Sequence, residues 1–541
     1  MTRFLFLFKS IPKYFSLSLL SGILVGTSYI PFKGWALLFC YIPLWIGTLG
    51  LLADPKALKK VFLAGWITQF VLTLIGFNWI YYVASEFGHI HWSLSLGAQL
   101  LFAALMHLYI PIALLAGFAT VRYFKISKPA IQYLILALFL ALLERVWPSI
   151  FEWNLAYALL WIKFPLYQWA DSVGFWGLST WLLVFQAGFA SAFSEYKNSN
   201  KTNALLIVLS VLIVIAILSV SGTYKAKQWS VNDESIKIGV AQGNIGNAEK
   251  IQSEKKNQYH SFIRGKYTEI TSQHLATNPT DIMIWPETAM PFGLDEYFHG
   301  RPEQKALLNS IQKWGIPVIT GGYSVDPIKR DHVGFSMIRN AIFYFSPDLR
   351  FSDKPYFKTN LLAFGEYMPF GEQFPVLYKF LPFVGVFEQG SGPVVARVEV
   401  KNKSVKLGPQ VCYDSLSPGF TRGLAKNGAQ IIFNVTNDSW YGWWSEPYQH
   451  QIMTLARGIE VRRPLVRSTN TGISSAILAD GTLLENSPID KTWSHTYNIP
   501  YKQSPELSFY CRFGYLDWVI WILILFGIIY FNRNKDEHVR S

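Results

Sequence analysis

Residues 405–414 read Val405-Lys406-Leu407-Gly408-Pro409-Gln410-Val411-Cys412-Tyr413-Asp414, a short apolar run that ends on a lone cysteine and a carboxylate. A run of this kind beside turn-forming residues reads as a strand, Val405–Leu407 at its centre, that delivers its last residues to a loop. Loops on a rigid scaffold are where reactive groups sit. A thiol becomes a good nucleophile at neutral pH when a base and a cation stand beside it. Taken alone, Cys412 reads by default as a buried structural thiol, so its meaning depends on what the rest of the chain supplies.

Two further strand-end or loop positions supply the missing types. Ile284-Trp285-Pro286-Glu287-Thr288-Ala289 sets a carboxylate directly after a strand and a rigid proline, a good place for a general base. Tyr356-Phe357-Lys358, followed by Leu361-Leu362-Ala363-Phe364-Gly365-Glu366-Tyr367-Met368, holds a lysine between apolar and aromatic neighbours, where its charge can stabilise an oxyanion. Singly, Glu287 reads as an exposed strand-end carboxylate and Lys358 as a solvated surface lysine. Around them the same alternation of apolar runs and polar turns continues over 223–511. Strands are expected at Ile236–Ala241, Asp281–Trp285, Ile316–Thr320, Ile431–Val435 and Leu465–Arg467, and helices at Gln258–Leu275 and Pro302–Trp314. Strands mixed with helices predict a layered α/β domain.

The remainder of the 541 residues has another character. Hydrophobic residues make up 51% of the chain and charged residues 15%, against an ordinary ~25% charged, which points to a membrane. Apolar segments long enough to cross a bilayer are expected at 14–32, 35–52, 61–83, 94–119, 130–147, 169–193, 204–222 and 515–531. Basic residues cluster in alternate connections: Arg3, Lys9 and Lys13; Lys56, Lys59 and Lys60; Arg122, Lys125 and Lys128; Lys197 and Lys201; Arg533, Lys535 and Arg540. With eight spans all of these fall on one side, which places both termini in the cytoplasm and 223–511 on the far side, the periplasm of a bacterium. The expected organisation is a membrane domain over 1–222, an α/β domain over 223–511, and a last span with a tail over 512–541. The net charge of +13 is explained by these flanks, so no nucleic-acid partner is expected. Cys40 and Cys511 lie in or beside apolar stretches and read as small buried hydrophobes; three scattered cysteines give neither a disulfide framework nor a metal pattern. Glu144, Arg145 and Glu152, near a span end, are expected to be paired or solvated at the interface.

Glu, Lys and Cys in that order within one α/β domain resemble the nitrilase, or carbon–nitrogen hydrolase, superfamily, and the surrounding motifs resemble its membrane branch, the apolipoprotein N-acyltransferases. The W-P-E, F-G-E-Y and C-Y-D contexts carry the likeness. So do Gln242-Gly243-Asn244-Ile245, Asn437-Asp438-Ser439-Trp440-Tyr441-Gly442 with Gln449-His450, and Arg462-Arg463-Pro464-Leu465-Val466-Arg467-Ser468-Thr469-Asn470-Thr471-Gly472-Ile473. The likeness covers nearly the whole chain. Three positions depart from the branch: Asp414 stands where a glutamate is usual, and Asn360 and Ala363 replace a histidine and a proline. Asp414 is one methylene shorter, so a contact made by the usual glutamate is expected to need a water or a backbone shift.

The resemblance implies an α-β-β-α sandwich carried by about eight spans, and an acyl transfer that needs no cofactor or metal. It implies Glu287 as base, Cys412 as nucleophile, and Lys358 with the Tyr413 backbone N–H as oxyanion donors. Glu366 is a second carboxylate of the site, with Asp414 and Asn340 in support. It also implies a phospholipid donor such as phosphatidylethanolamine, a diacylglyceryl-lipoprotein acceptor, and a monomer in the bacterial inner membrane. The aromatic stretches Trp440–Trp444 and Phe374–Phe387 are expected either to meet lipid, with Trp440, Tyr441, Trp443 and Trp444 touching substrate, or to pack in the core. A membrane-tethered amidase, a non-catalytic lipid-binding relative and, more distantly, a transporter remain open on the sequence.

Overall fold

A computed structural model of the chain describes residues 12–88, 90–246, 249–250, 252, 258–295, 301–330, 336–381 and 384–538. The chain divides into two compact units, one formed by Met1–Ser85, His89–Lys225 and Arg512–Ser541, the other by Glu86–Gly88 and Ala226–Cys511.

The first unit is helical. Among the described residues, Ala57–Gly76, Trp92–Tyr123, Pro129–Val146, Pro165–Lys197 and Lys201–Gln228 are helical stretches long and apolar enough to cross a bilayer, and Lys13–Gly26 and Leu516–Asn532 are shorter apolar helices. Two of the long stretches bend. The first is interrupted between Leu105 and Tyr109, with Pro111 in the first turn of the segment that follows, where a missing N–H is tolerated. Another turns at Gly174, whose φ is 70°. The expected span at 35–52 is corrected: its first part is turns and its helix is only Ile42–Leu49, with Pro43 in the first turn. Eight residues reach roughly 12 Å, well short of the ~30 Å hydrocarbon core; apolar length overstated the helix because prolines and glycines break it. Gly65 shows how tightly the others meet, since a Cβ there would lie 2.5 Å from Pro111 Cα. Of the ionisable groups near the span end, Arg145 is paired as expected, 3.3 Å from Asp517, whereas Glu144 is buried and accepts hydrogen bonds from the neutral hydroxyls of Ser179 at 2.9 Å and Tyr109 at 3.4 Å instead of pairing with a cation. Arg3, Lys9 and Arg540 lie outside the described residues.

The second unit is built on two sheets. Six strands, β1 (Glu234–Gln242), β2 (Ile282–Ile284), β3 (Val318–Arg330), β4 (Ser336–Phe345), β5 (Tyr356–Phe357) and β11 (Trp493–Tyr501), run in the order β11-β1-β2-β3-β4-β5. Five more, β6 (Ala396–Val400), β7 (Lys403–Val411), β8 (Ile431–Thr436), β9 (Leu465–Thr469) and β10 (Ser475–Ile477), run β10-β9-β8-β7-β6. Each sheet has a parallel centre, β1-β2-β3 in one and β7-β8-β9 in the other. Parallel strands are covered on both faces and read as unbroken apolar runs, which is why Ile431–Val435 stood out. All six β8 residues are buried. Helices Gln258–Thr277 and Pro302–Trp314 contribute Ile263, Tyr267, Leu307 and Ile311 to the core over Trp285 and Phe343 of the first sheet. Helices Pro418–Lys426 and Glu446–Val461 pack against the second sheet. The inner faces meet directly, with Ser468 donating to the Ile284 carbonyl at 3.2 Å and Tyr344 edge-on to Phe433. The result is the expected α-β-β-α sandwich.

Strands β4, β5, β6, β10 and β11 were not anticipated. β10 and β5 are three and two residues long. β11 carries Pro500 and polar alternation and is an edge strand, where proline is tolerated.

Candidate active site

The parallel strands of both sheets end on one side, and ligands of open α/β sheets bind beyond carboxyl ends of strands. Glu287 follows β2, Cys412 follows β7 directly, Asn437 follows β8 and Asn470 follows β9. Lys358 follows the short β5, whose pairing with β4 sets Lys358 N 2.9 Å from the Asn340 carbonyl. The positions singled out along the sequence are thereby brought to one place, drawn from both sheets.

The hydrogen bonds are specific. Glu287, 6% exposed, accepts from Asn340 Nδ2 at 2.7 Å and from Lys358 Nζ at 3.4 Å on Oε1, and from the Asn437 backbone N–H at 3.0 Å on Oε2. Glu366 accepts from the same Asn340 amide at 3.1 Å, from Lys358 at 2.8 Å, and from the Leu362 N–H at 2.9 Å. Lys358 is thus a buried ammonium between two carboxylates. Burial works against its charge, but Glu366, then Glu287 and Cys412, outweigh that and push its pKa well above the ordinary lysine value. Asn340 had been given only a supporting role by resemblance; it bridges both carboxylates.

Cys412 has φ 47°, a left-handed backbone uncommon for a side-chain-bearing residue. It sits between β7 and a 3-10 turn, Cys412–Leu416. Burial, and then the charge of Glu287, raise its thiol pKa, while Lys358 and a hydrogen bond with Thr436 work the other way; the net direction is well above the free-cysteine value. A thiol of this kind rests neutral and needs a base at the moment of attack. Its carbonyl accepts from Ser415 Oγ at 2.9 Å and Asn434 Nδ2 at 3.3 Å.

Asp414 reaches its partners directly. It accepts from Tyr356 OH at 2.7 Å, Val411 N at 3.0 Å, Asn360 N at 2.7 Å and Thr359 N at 3.2 Å. These bonds tie the Lys358 loop to the Cys412 turn. Burial pushes its carboxyl up to about 6 against those hydrogen bonds. Tyr413 is half-buried. The four aromatic positions divide. Tyr441 is buried, within electrostatic reach of Cys412, while Trp443 and Trp444 are 67% and 41% exposed and Trp440 is half-buried. Phe370, Phe374 and Phe380 are also exposed. The isolated cysteines Cys40 and Cys511 are buried, free thiols.

Asn434, Thr436 and Asn437 were missed as site residues, although Asn437 heads a motif noted for its family likeness. A second buried cluster lies beside them. Arg467 Nη2 donates to Asp438 Oδ2 at 2.7 Å, and His450 Nδ1 lies 3.0 Å from Asp438 Oδ1 and 3.5 Å from Glu446. Asp438, Glu446 and His450 bring ligand-type atoms within 4.8 Å of one another. The Arg467 guanidinium already sits on Asp438 and supplies the positive charge a metal ion would bring, so the residues fit an ion pair better than a metal site.

Gly321, on β3, was also missed. A Cβ there would lie 2.5 Å from the Pro286 carbonyl, 2.6 Å from Thr288 N and 2.7 Å from Glu287 Cα. Gly321→Ala is therefore expected to push the Glu287 turn out of place and cut turnover by about 10- to 100-fold. Rate per folded enzyme, measured beside the melting temperature, checks this; a rate within about two-fold of the parent would contradict it.

The carbon-nitrogen hydrolase family model matches residues 237–495, and the model of the apolipoprotein N-acyltransferase N-terminal domain matches residues 21–188. An apolipoprotein N-acyltransferase of Bdellovibrio bacteriovorus is 48% identical over 530 residues, covering 98% of this chain and 96% of that protein. One from Chlorobaculum tepidum is 26% identical over 498 residues, covering 86% and 87%. A carbon-nitrogen hydrolase structure from Helicobacter pylori matches with 17% identity and a TM-score of 0.34, covering 54% of this chain and 94% of that one.

Proposed function

The chain belongs to the apolipoprotein N-acyltransferases, and from that premise we propose that it moves a fatty acyl chain from a phospholipid to the α-amino group of a diacylglyceryl-cysteine through a thioester on Cys412. The observation that carries this reading is the buried Glu287–Asn340–Lys358–Glu366 hydrogen-bonded group, with Cys412 in the field of both Glu287 and Lys358.

In the first half-reaction Glu287 takes the thiol proton and the Cys412 sulfur attacks the ester carbonyl. Lys358 and the Tyr413 N–H stabilise the oxyanion. The carbon–oxygen bond to glycerol breaks, the leaving alkoxide takes the proton back from Glu287, and a lysophospholipid departs. In the second half the amine attacks the thioester, a carbon–nitrogen bond forms as the carbon–sulfur bond breaks, and the amine proton passes by way of Glu287 to the Cys412 sulfur. Glu366 and Asn340 hold Lys358 and Glu287; Asp414 holds the Lys358 loop against the Cys412 turn. Water consumes a thioester unless excluded, and burial of Cys412 and Glu287 supports transfer over hydrolysis.

The donor is proposed to be phosphatidylethanolamine or a similar phospholipid, the enzyme a monomer of the bacterial inner membrane, and the sandwich periplasmic with both termini cytoplasmic. The basic clusters fall on one side only if eight segments cross, so segment 35–52 is proposed to cross as turns followed by the short Ile42–Leu49 helix rather than as a helix alone. The domain limits 1–222, 223–511 and 512–541 belong to the same proposal. The exposed Trp443, Trp444, Phe370, Phe374 and Phe380 suit a lipid-facing rim, as aromatics favour membrane interfaces.

The test is to incubate purified protein with phospholipid alone and digest it. The expected result is an acyl adduct on Cys412 and one lysophospholipid per enzyme, discharged by a diacylated lipopeptide. Lysophospholipid that appears only when the lipopeptide is present would refute the covalent step.

A further inference from the structure

Arg467, on β9, is fully buried and bonds to three side chains, two of which lead to the Cys412 main chain and one to the loop beside Glu287. Its Nη1 donates to Asn434 Oδ1 at 2.8 Å and to Thr454 Oγ1 at 3.0 Å, and its Nη2 donates to Asp438 Oδ2 at 2.7 Å. Asn434 passes the connection on, its amide donating to the Cys412 carbonyl at 3.3 Å. Thr454 shares a 2.8 Å hydrogen bond with Ser415, whose hydroxyl donates to the same carbonyl at 2.9 Å. The third arm fixes Asp438 in the loop after β8, and the residue before it, Asn437, gives its N–H to Glu287 Oε2 at 3.0 Å. One guanidinium therefore stands behind the main chain that carries the thiol and behind the loop that orients the carboxylate.

We propose that Arg467 is a positioning residue that sets the Cys412 sulfur against Glu287. The proposal rests on the reading of Cys412 as nucleophile and Glu287 as base. An arginine suits the place because its planar fork directs several N–H bonds at fixed angles, which a single ammonium cannot reproduce. Its charge is balanced by Asp438, whose other oxygen faces His450 Nδ1. Lysine keeps that charge balance and loses the geometry, which separates positioning from charge. Thr454→Val cuts one arm and leaves the Arg467–Asp438 pair intact.

The experiment uses the full chain purified in detergent, a phospholipid donor and quenched-flow mass spectrometry of Cys412. Arg467→Lys is expected to slow acyl-enzyme formation on the order of 30- to 100-fold per folded molecule, with KM for the phospholipid within about three-fold of the parent. Thr454→Val is expected to slow the same step by roughly three- to ten-fold. A purely structural role for Arg467 would lower the melting temperature and yield while the rate per folded molecule stayed at the parent value; that result overturns the proposal. If Arg467→Lys does not accumulate, Thr454→Val decides by the same criterion. Cys412→Ala run in parallel keeps the two readings apart. Lipopeptide N-acylation that persists there sinks the nucleophile assignment. Its loss together with an unaffected Arg467→Lys sinks the positioning role alone.

Discussion

Cys412→Ala is expected to reduce lipopeptide N-acylation by on the order of a thousand-fold or more, because removal of a covalent nucleophile eliminates the two-step route rather than slowing it. Cys412→Ser should lose nearly as much. The resting thiol is already held neutral by burial and by Glu287, and a hydroxyl is a far weaker acid than a thiol, so a carboxylate base has much less to work with. Neither substitution should disturb the fold greatly. Both side chains are no larger than the thiol, and the turn at φ 47° is held from the main chain by Ser415 and Asn434. The measurement is acyl transfer from phospholipid to a diacylated lipopeptide, beside a melting curve and an intact-mass search for the acyl adduct. A Cys412→Ala enzyme that melts like the parent and still transfers acyl groups would remove the thioester from the mechanism.

The parts of this site visible in the sequence are those where chemistry and strand punctuation coincide. Glu287 follows an apolar run and a proline, Lys358 stands among aromatics, and Cys412 ends β7; each announces itself by being polar where the pattern turns from apolar to turn-rich. The spacing of 71 residues between Glu287 and Lys358 says nothing about contact. Their meeting depends on β3, β4 and β5 pairing in order so that Asn340, Lys358 and Glu287 fall together, and β4 and β5 had not been recognised. Gly321 was invisible for a related reason: its requirement is the approach of the Pro286–Thr288 backbone, which only the β2–β3 pairing creates. Arg467 lay in plain view within a basic run and yielded no role, because a buried arginine declares its function only through its partners. In the membrane unit, length and apolarity located the long helices, and failed at 35–52, where Pro43 and the turns before it decide the structure.

Lys358→Met is the harsher test of the site's electrostatics, and it is expected to cost about a thousand-fold in acyl-enzyme formation. Methionine fills much the same space but removes the ammonium between Glu287 and Glu366, which lie 3.4 and 2.8 Å from Lys358 Nζ and share the Asn340 amide. Two buried carboxylates that close cannot both remain ionised without a counter-charge. The two carboxylates are then left in conflict, and the oxyanion has lost its charged donor. Breaking a buried ion pair from one side also costs about 3–5 kcal/mol, so the melting temperature should fall by several degrees. Adding Glu366→Gln removes the second negative charge. The double variant Lys358→Met/Glu366→Gln is expected to recover most of the lost melting temperature, while acyl-enzyme formation stays low because no ammonium faces the oxyanion. Recovery of activity together with stability would show that Lys358 only balances charge, and its place in the chemistry would have to be given up.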